Sequence, residues 1–260
     1  SAVRAALPYI KNFNQPIIVL YADTPFITKD IIQSLFQKIS SGNDICVLGF
    51  STDNPSGYGR LIQTSEGALK SIIEESEAGE SEKTIKNVNA GIMAFNGNII
   101  EVILEKIIPS NSKKEYFLTD AVSLGFEHNL NVDFVLADQK CVIGINNRDQ
   151  LAIAEMYAQN YLRKKAMLAG VTMVAPETVF LRRDTRFGQD VTIEPNVIFG
   201  SNVSLAKKCH IKSFCYLEEC AIGEGNVIGP FARIRPNTIT EKNVKIGNFV
   251  EVKKSNINRG

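Results

Sequence analysis

The fold of the second half of the chain is decided by residues 191–205, VTIEPNVIFGSNVSL. Apolar side chains recur there every six residues, at Ile193, Phe199 and Leu205, and again two residues before each of these. A six-residue period puts one inward side chain on each flat face of a triangular solenoid, whose coils bury their faces only against neighbouring coils. The stretch therefore predicts a parallel β-helix.

The same period continues toward the end of the chain. The main apolar column runs on through Ile211 and Leu217 and, after a step of five residues, through Ile222, Ile228, Ile234, Thr240, Ile246 and Val252. Cys209 and Cys215 belong to the second column, so we expect them to pack in the core and not to bind a metal. Glycines near the predicted corners, where positive φ is needed, are Gly200, Gly223, Gly225, Gly229 and Gly247.

The first half of the chain has a different pattern. Short apolar runs alternate there with helical patterns, which predicts an α/β domain with a mainly parallel sheet. The continuous run at 16–21 predicts a strand buried on both faces. Further strands are predicted at 45–50, 61–63, 68–73 and 88–95. Thr28 caps a predicted helix that stops before Gly42, and another helix is predicted around 100–107.

A long helix is predicted between the two patterns, at 147–169, with Gly170 as its stop signal. Its expected apolar side consists of Leu151, Ala154, Tyr157, Ala158, Tyr161, Leu162 and Ala166. We expect an α/β domain at 1–146, a linker helix at 147–169 and the β-helix at 170–260. The alternative is that the helix is the last core element of the first domain.

Composition excludes several classes of function. The 260 residues carry 29 Lys and Arg against 28 Asp and Glu, a formal net charge of +1 at pH 7, with no basic cluster for nucleic acid. Five cysteines, an odd number without CxxC spacing, predict reduced thiols. No apolar run approaches the roughly 18 residues that cross a bilayer, and no signal peptide is recognised. We therefore expect a cytoplasmic protein without a membrane span.

Several polar residues stand where ligands bind in α/β proteins. Asp23 follows the first strand, where it could bind a metal or cap the turn made with Thr24. Asn146 could be a ligand or a helix N-cap. Glu74 could lie on a solvated strand edge or in a site, and Asn89 could be a turn residue or a site residue. The two histidines are not placed for catalysis, and no Ser/His/Asp arrangement is present.

Eight segments taken together resemble one family. In the first half they are LYADTP (20–25), GYGR (57–60), IIEE (72–75), NVNAG (87–91), EYFLTD (115–120) and GINNR (144–148). In the solenoid they are IGPFARIRP (228–236) and GNFVEVKK (247–254). In this order they resemble the bacterial bifunctional N-acetylglucosamine-1-phosphate uridyltransferase/glucosamine-1-phosphate N-acetyltransferase family, over essentially the whole chain.

The resemblance implies a fold and a set of site residues. It implies a Rossmann-like nucleotidyltransferase domain, incomplete at its N-terminus, followed by a left-handed parallel β-helix of hexapeptide repeats, incomplete at its C-terminus. Asp23 and Asn146 would hold Mg²⁺ beside the substrate. Arg235 and Lys253 would belong to the sugar-phosphate site of the acetyltransferase half. The uridine-diphosphate sugar site would be lined by Tyr21, Ala22, Gly59, Glu74 and Asn89. Ala22 replaces the glycine usual in relatives, and we expect it to be tolerated because alanine is small.

The resemblance also implies the reactions. The first is Mg²⁺-dependent uridylyl transfer from UTP to N-acetylglucosamine 1-phosphate, giving UDP-N-acetylglucosamine for peptidoglycan synthesis. The second is acetyl transfer from acetyl-CoA to glucosamine 1-phosphate, in a homotrimer. The family's glycine-rich loop would precede Ser1, and its acetyltransferase histidine would follow Gly260. We therefore expect cuts at both ends and a fragment that is inactive alone, and we assign no catalytic residue within it.

Three other functions remain open. A related sugar-1-phosphate nucleotidyltransferase, making for example ADP-glucose or GDP-mannose, shares the α/β and solenoid layout. A noncatalytic trimeric scaffold would fit a solenoid with incomplete active sites. A metal-dependent glycosyltransferase would need paired aspartates, whereas Asp23 is followed by Thr24 and Pro25.

Overall fold

The structure, a computed structural model, describes residues 2–10, 13–109 and 116–259. The chain divides into two compact units, 1–147 and 148–260. Glu115, the first residue of the EYFLTD segment, lies outside the described residues, as do Ser1 and Gly260.

Among its described residues, the first unit has a six-stranded sheet and five α-helices. Its strands are β1 (Ile17–Val19), β2 (Ile45–Ser51), β3 (Arg60–Gln63), β4 (Leu69–Ile73), β5 (Asn87–Phe95) and β6 (Val132–Ala137). Its helices are α1 (Ala2–Ile10), α2 (Lys29–Ser40), α3 (Glu80–Lys83), α4 (Ile100–Lys106) and α5 (Asp120–Glu127). The sheet order is β4-β3-β5-β2-β6, and β1 also pairs with β5. One apolar cluster includes α1, α4 and α5 and another includes α2, so helices cover both faces of the sheet.

The prediction of a mainly parallel sheet is wrong. Strand β5 runs antiparallel to β1, β2 and β3, and β3 runs antiparallel to β4. Within the described residues, the parallel pair of this sheet is β2 with β6. The error arose because an apolar run shows that a strand is buried but does not show which way it runs. Strands β1, β2 and β6 do share one direction, since β1 and β2 both oppose β5.

The strand predicted at 16–21 is also shorter and less buried than expected. Strand β1 ends at Val19, and its three residues are half-buried. In the described part of the chain, β1 pairs with β5 on one side. Leu20 and Tyr21 are 48% and 45% exposed. A Rossmann-like arrangement of this unit stays a prediction.

The second unit consists of helix α6 (Arg148–Leu168) and fourteen short strands. These are β7 (Thr172–Met173), β8 (Arg186–Phe187), β9 (Thr192–Ile193), β10 (Ile198–Phe199), β11 (Val203–Leu205), β12 (His210–Ile211), β13 (Tyr216–Leu217), β14 (Cys220–Ile222), β15 (Val227–Ile228), β16 (Arg233–Ile234), β17 (Thr238–Thr240), β18 (Lys245–Ile246), β19 (Glu251–Val252) and β20 (Asn256–Ile257). They form three parallel sheets, β7-β9-β12-β15-β18, β10-β13-β16-β19 and β8-β11-β14-β17-β20.

The predicted parallel solenoid is confirmed. The main column is buried from Ile193 to Ile246, and Cys209 and Cys215, at 1% and 2% exposure, pack in the same core. All five cysteines are free thiols, as predicted. The handedness of the coil stays a prediction.

The corners of the solenoid are built differently from the prediction. Positive φ recurs about every six residues, but mostly at residues other than glycine, such as Asn196, Lys208 and Phe214. Of the five glycines predicted for this role, Gly225 and Gly229 adopt positive φ. Gly200 and Gly223 contribute by their lack of a side chain, whereas a Cβ on Gly247 would stand in open space. A Cβ on Gly200, for example, would lie 2.8 Å from Glu218 Cβ in the next coil.

Helix α6 is within a residue of the predicted bounds at each end, and its predicted apolar side is confirmed in part, because Ala154 and Ala166 are buried. Leu151 and Tyr161 are 53% and 67% exposed, whereas Gln159 and Arg163 are buried. Gln159 Nε2 donates to the Leu181 carbonyl (2.8 Å), and its Oε1 accepts from the Leu181 N–H (2.9 Å). Arg163 donates to backbone carbonyls of the first coil at 3.2 and 3.1 Å. The helix is therefore attached to the solenoid by polar bonds that an apolar pattern does not reveal.

Candidate functional site

Asp23 lies in a tight turn after β1. Thr24 Oγ1 donates to the Tyr21 carbonyl (2.9 Å), which closes the turn, and the Ile145 N–H donates to the Asp23 carbonyl (3.0 Å). These bonds connect the turn to the GINNR segment, 122 positions later. The side chains of Asp23 and Asn146 approach a common point. Asp23 Oδ2 and Asn146 Nδ2 lie 3.9 and 3.8 Å from where a Cβ on Gly144 would stand.

Three other predicted site residues lie side by side on the sheet. Arg60 on β3 is paired with Ile73 on β4 and Val88 on β5. Because both pairings are antiparallel, Gly59 lies next to both Glu74 and Asn89. The Asn89 N–H donates to the Gly59 carbonyl at 2.7 Å. A Cβ on Gly59 would lie 3.3 Å from Glu74 Oε2 and 2.8 Å from Ile72, so the absence of a side chain there lets Glu74 lie across the backbone.

The side chains of this row are themselves held in place. Thr119 Oγ1 donates to Glu74 Oε1 at 3.2 Å. Asn89 Oδ1 accepts from the Gly91 N–H at 2.9 Å. Nδ2 of Asn89 has no partner among the described residues, so it can donate to a ligand.

Tyr21 connects the turn to the row. Its ring lies against Gly91, where a Cβ would be 2.3 Å from Tyr21 Cε2. Burial and the nearby Glu74 and Asp23 carboxylates raise the pKa of the Tyr21 phenol above its ordinary value. The phenol therefore keeps its proton at neutral pH and can both donate and accept a hydrogen bond.

These residues surround a cavity of about 460 Å³ in the first unit. Tyr21, Asp23, Gly59, Glu74 and Asn89 all line it, together with Gly144. Two predicted site residues do not: Ala22 is exposed beside the turn, and Asn146 lies just beyond Gly144. No cluster of three or more His, Cys, Asp or Glu suited to a metal occurs among the described residues.

The cavity has further walls that sequence reasoning missed. Arg4 on α1 lines it, stacks its guanidinium 4.3 Å from the Tyr116 ring centroid and donates to the Ile107 carbonyl (2.8 Å). Thr119 also lines it. The EYFLTD segment was a signal for Tyr116 and Thr119, but nothing in the sequence pointed to Arg4.

In the second unit, Arg235 and Lys253 lie on successive coils. Pairing of Ile234 with Val252 puts the next residues, Arg235 and Lys253, side by side at the ends of β16 and β19. Arg235 Nη1 donates to Glu251 Oε1 at 2.9 Å, while Arg235 Nε is buried with no partner among the described residues. The bond from Arg235, together with the charges of Arg235, Arg233 and Lys253, lowers the pKa of Glu251. Three cations around one carboxylate leave this face able to attract an anion.

No helix in the described part of the chain is long and apolar enough to cross a membrane. No protein-family model matches the chain.

Three curated proteins similar to this chain share one description. The "Bifunctional protein GlmU" of Agrobacterium fabrum is 43% identical over 259 residues, which is the whole of this chain and 57% of that protein. The proteins of the same description from Azorhizobium caulinodans and Paramagnetospirillum magneticum are 42% and 38% identical, each with 58% of its length covered. The resemblance found in the motifs is therefore confirmed: the chain is related along its whole length to the bifunctional GlmU proteins, and it spans a little more than half of theirs.

Proposed function

We propose that the first unit carries the sugar-nucleotide site of an enzyme that makes UDP-N-acetylglucosamine, by uridylyl transfer from UTP to N-acetylglucosamine 1-phosphate. The observation that carries this proposal is the row of Gly59, Glu74 and Asn89, which lines one cavity together with Tyr21 and Asp23. The similarity to proteins described as bifunctional extends over both units and supports it.

We propose that Asp23 and Asn146 hold Mg²⁺. Their approach to a common point beside Gly144 supports this assignment, with the Asn146 amide turned so that its oxygen, and not Nδ2, faces the ion. A carboxylate oxygen and an amide oxygen are ligands that Mg²⁺ accepts, with other positions left for phosphate oxygens and water. When bound, the ion would neutralise negative charge on the phosphates.

The chain's own residues then act by positioning. The phosphate of N-acetylglucosamine 1-phosphate is already an anionic nucleophile, so the side chains need not remove a proton from it. Glu74, held by Thr119, can accept hydrogen bonds from sugar hydroxyls, and Asn89 Nδ2 can donate to the sugar's acetamido carbonyl. Gly59 lets the sugar lie against the backbone. Holding the two substrates in line removes much of the entropic part of the barrier.

The proposal can be tested by isothermal titration calorimetry, in which UDP-N-acetylglucosamine is added to the 260-residue chain in the presence of Mg²⁺. We expect Glu74→Gln to weaken binding by about tenfold or more, as for a lost charge-assisted hydrogen bond. Glu66→Gln is the matched control, because Glu66 is exposed at the opposite end of the same hairpin. Absence of binding by the unsubstituted chain would contradict the proposal. Stronger binding of ADP-glucose or GDP-mannose would favour a related nucleotidyltransferase.

We propose that the second unit belongs to an acetyltransferase that uses acetyl-CoA and glucosamine 1-phosphate. Arg235 and Lys253 would bind the phosphate of glucosamine 1-phosphate, since neighbouring cations suit that group. Arg235→Gln should weaken binding of this sugar phosphate, whereas Arg186→Gln, at an exposed arginine on a different sheet, should not. Equal binding by both variants would contradict the assignment.

We further propose a left-handed solenoid and a homotrimer. Phe180 and Ile198, bridged neighbours on one face, are 47% and 43% exposed, which supports burial by another copy. Sedimentation velocity tests the trimer, and a monomer at micromolar concentration would contradict it. A cytoplasmic location and inactivity of these 260 residues alone stay predictions; an assay for Mg²⁺-dependent pyrophosphate release tests the second.

A further inference from the structure

Arg60, the last residue of the GYGR segment, has a buried charge that the proposed function does not explain. Its side chain is 1% exposed although it opens strand β3. Arginine is rarely buried to this extent unless it is paired. Its Nη2 donates to Glu75 Oε2 and its Nη1 donates to the Tyr58 carbonyl. Its Nε is buried without a partner in the described part of the chain.

The two partners of Arg60 lie on two separate segments, each next to a residue of the cavity wall, and Tyr58 lines the cavity itself. Tyr58 immediately precedes Gly59, and Glu75 immediately follows Glu74. Neither Arg60 nor Glu75 lines the cavity, whereas Gly59 and Glu74 both do. The Arg60 guanidinium therefore lies behind the wall and connects the residue before Gly59 to the residue after Glu74.

We propose that Arg60 and Glu75 form a positioning pair, which fixes Gly59, Glu74 and Asn89 relative to one another so that they can bind the sugar nucleotide. This inference rests on the proposed function of the cavity. The planar fork of a guanidinium can donate to two acceptors in one fixed geometry, which a lysine ammonium does not reproduce. The hydrogen bond from Arg60 also lowers the pKa of Glu75, so the pair stays charged at neutral pH.

The pair differs from an ordinary surface ion pair in its arginine, because Arg60 is buried while Glu75 is 37% exposed. Lys83 and Glu80, on the nearby short helix, make an exposed contact of 3.0 Å in which Glu80 is 94% exposed. Such a contact contributes little to structure. A buried guanidinium that loses its carboxylate keeps an uncompensated charge, so the segments around it must rearrange. Glu80 therefore supplies a matched control for Glu75.

The experiment measures amide hydrogen exchange by NMR and affinity for UDP-N-acetylglucosamine, in the 260-residue chain. In Glu75→Ala we expect the Asn89 amide, which donates to the Gly59 carbonyl, to exchange at least about tenfold faster, as for loss of one charge-assisted bond. Amides between β2 and β6 should be unchanged. Affinity for the sugar nucleotide should fall by a similar factor. Glu75→Gln, which keeps an acceptor, should have a smaller effect, and Glu80→Ala none.

The outcomes separate this inference from the proposed function. Unchanged exchange at Asn89 in a folded Glu75→Ala protein would overturn the positioning role. A uniform rise in exchange over the whole sheet would also overturn it, because that result indicates general destabilisation. Faster exchange at Asn89 alone, in a chain that never binds the sugar nucleotide, would support the pair and refute the proposed function. Arg60→Lys tests whether the guanidinium itself is required. Wild-type exchange at Asn89 and wild-type affinity in this variant would contradict the proposal.

Discussion

Substitution of Gly91 by alanine should separate backbone strain from loss of the site. Gly91 has φ +82°, and a Cβ there would lie 2.3 Å from Tyr21 Cε2 and 2.8 Å from Tyr21 Cδ2. An alanine with left-handed φ costs about 1–2 kcal/mol. Because Tyr21 is 45% exposed, its ring can swing toward solvent, so we expect the first unit to stay folded but to lose this wall of its cavity.

Gly67→Ala is the matched control. Gly67 has φ +89° and no atom within 4 Å of its would-be Cβ, so alanine there adds strain without a collision. Both variants should lower the free energy of unfolding by about 1–2 kcal/mol. The Gly91 variant alone should lose affinity for UDP-N-acetylglucosamine, measured by calorimetry.

Titration of the Tyr21 phenolate absorbance adds a readout without ligand. Moving the ring away from its half-buried position and from Glu74 should lower the Tyr21 pKa back toward 10.0. The reasoning would be refuted if Gly91→Ala bound the sugar nucleotide as well as Gly67→Ala and left the titration of Tyr21 unchanged.

Three further predictions concern stability. Arg60 lowers the pKa of Glu75, so the pair stabilises the folded protein above pH 4.5, the ordinary pKa of glutamate, and this stabilisation is lost as the pH falls below that value. The free energy of unfolding, measured in urea at several pH values, should therefore depend less on acid in Glu75→Gln. Gln159→Leu should leave the N–H and carbonyl of Leu181 without their side-chain partners. We expect it to lower the free energy of unfolding of the second unit by about 2–4 kcal/mol, measured by chemical unfolding. An unchanged free energy would contradict the proposed attachment of α6. Phe231 stacks between Phe214 and Phe249, with ring centroids 4.9 and 5.2 Å away. Phe231→Ala should therefore lower the free energy of unfolding by about 1 kcal/mol, and a stabilised variant would contradict this.

The solenoid could be predicted from the sequence because its period has a direct physical meaning. Each sixth residue must face the axis, so an aliphatic column from Ile193 onward fixes the coil. The corners could not be predicted in the same way. Backbone hydrogen bonds between coils hold each corner in place, so residues such as Lys208 and Phe214 adopt positive φ there without being glycine.

The sheet of the first unit could be predicted only in part. Strands β2 and β5 were recognised from their apolar runs, but the reversed direction of β5 depends on pairing between distant segments. The residues of the candidate site were named through the resemblance, and Asp23, Glu74 and Asn89 line one cavity. Arg60 was missed as a buried residue because its acceptor, Glu75, becomes its neighbour only when the hairpin of β3 and β4 sets the register.

The most direct test of the account is the metal dependence of sugar-nucleotide binding. Mn²⁺, used in place of Mg²⁺, can be followed by electron paramagnetic resonance while UDP-N-acetylglucosamine is added. We predict that the unsubstituted chain binds one ion together with the nucleotide, and that Asp23→Ala and Asn146→Ala each abolish this binding. Asp53→Ala, at an exposed carboxylate paired with Lys86, should not. Undiminished binding of the ion in both site variants would contradict the account.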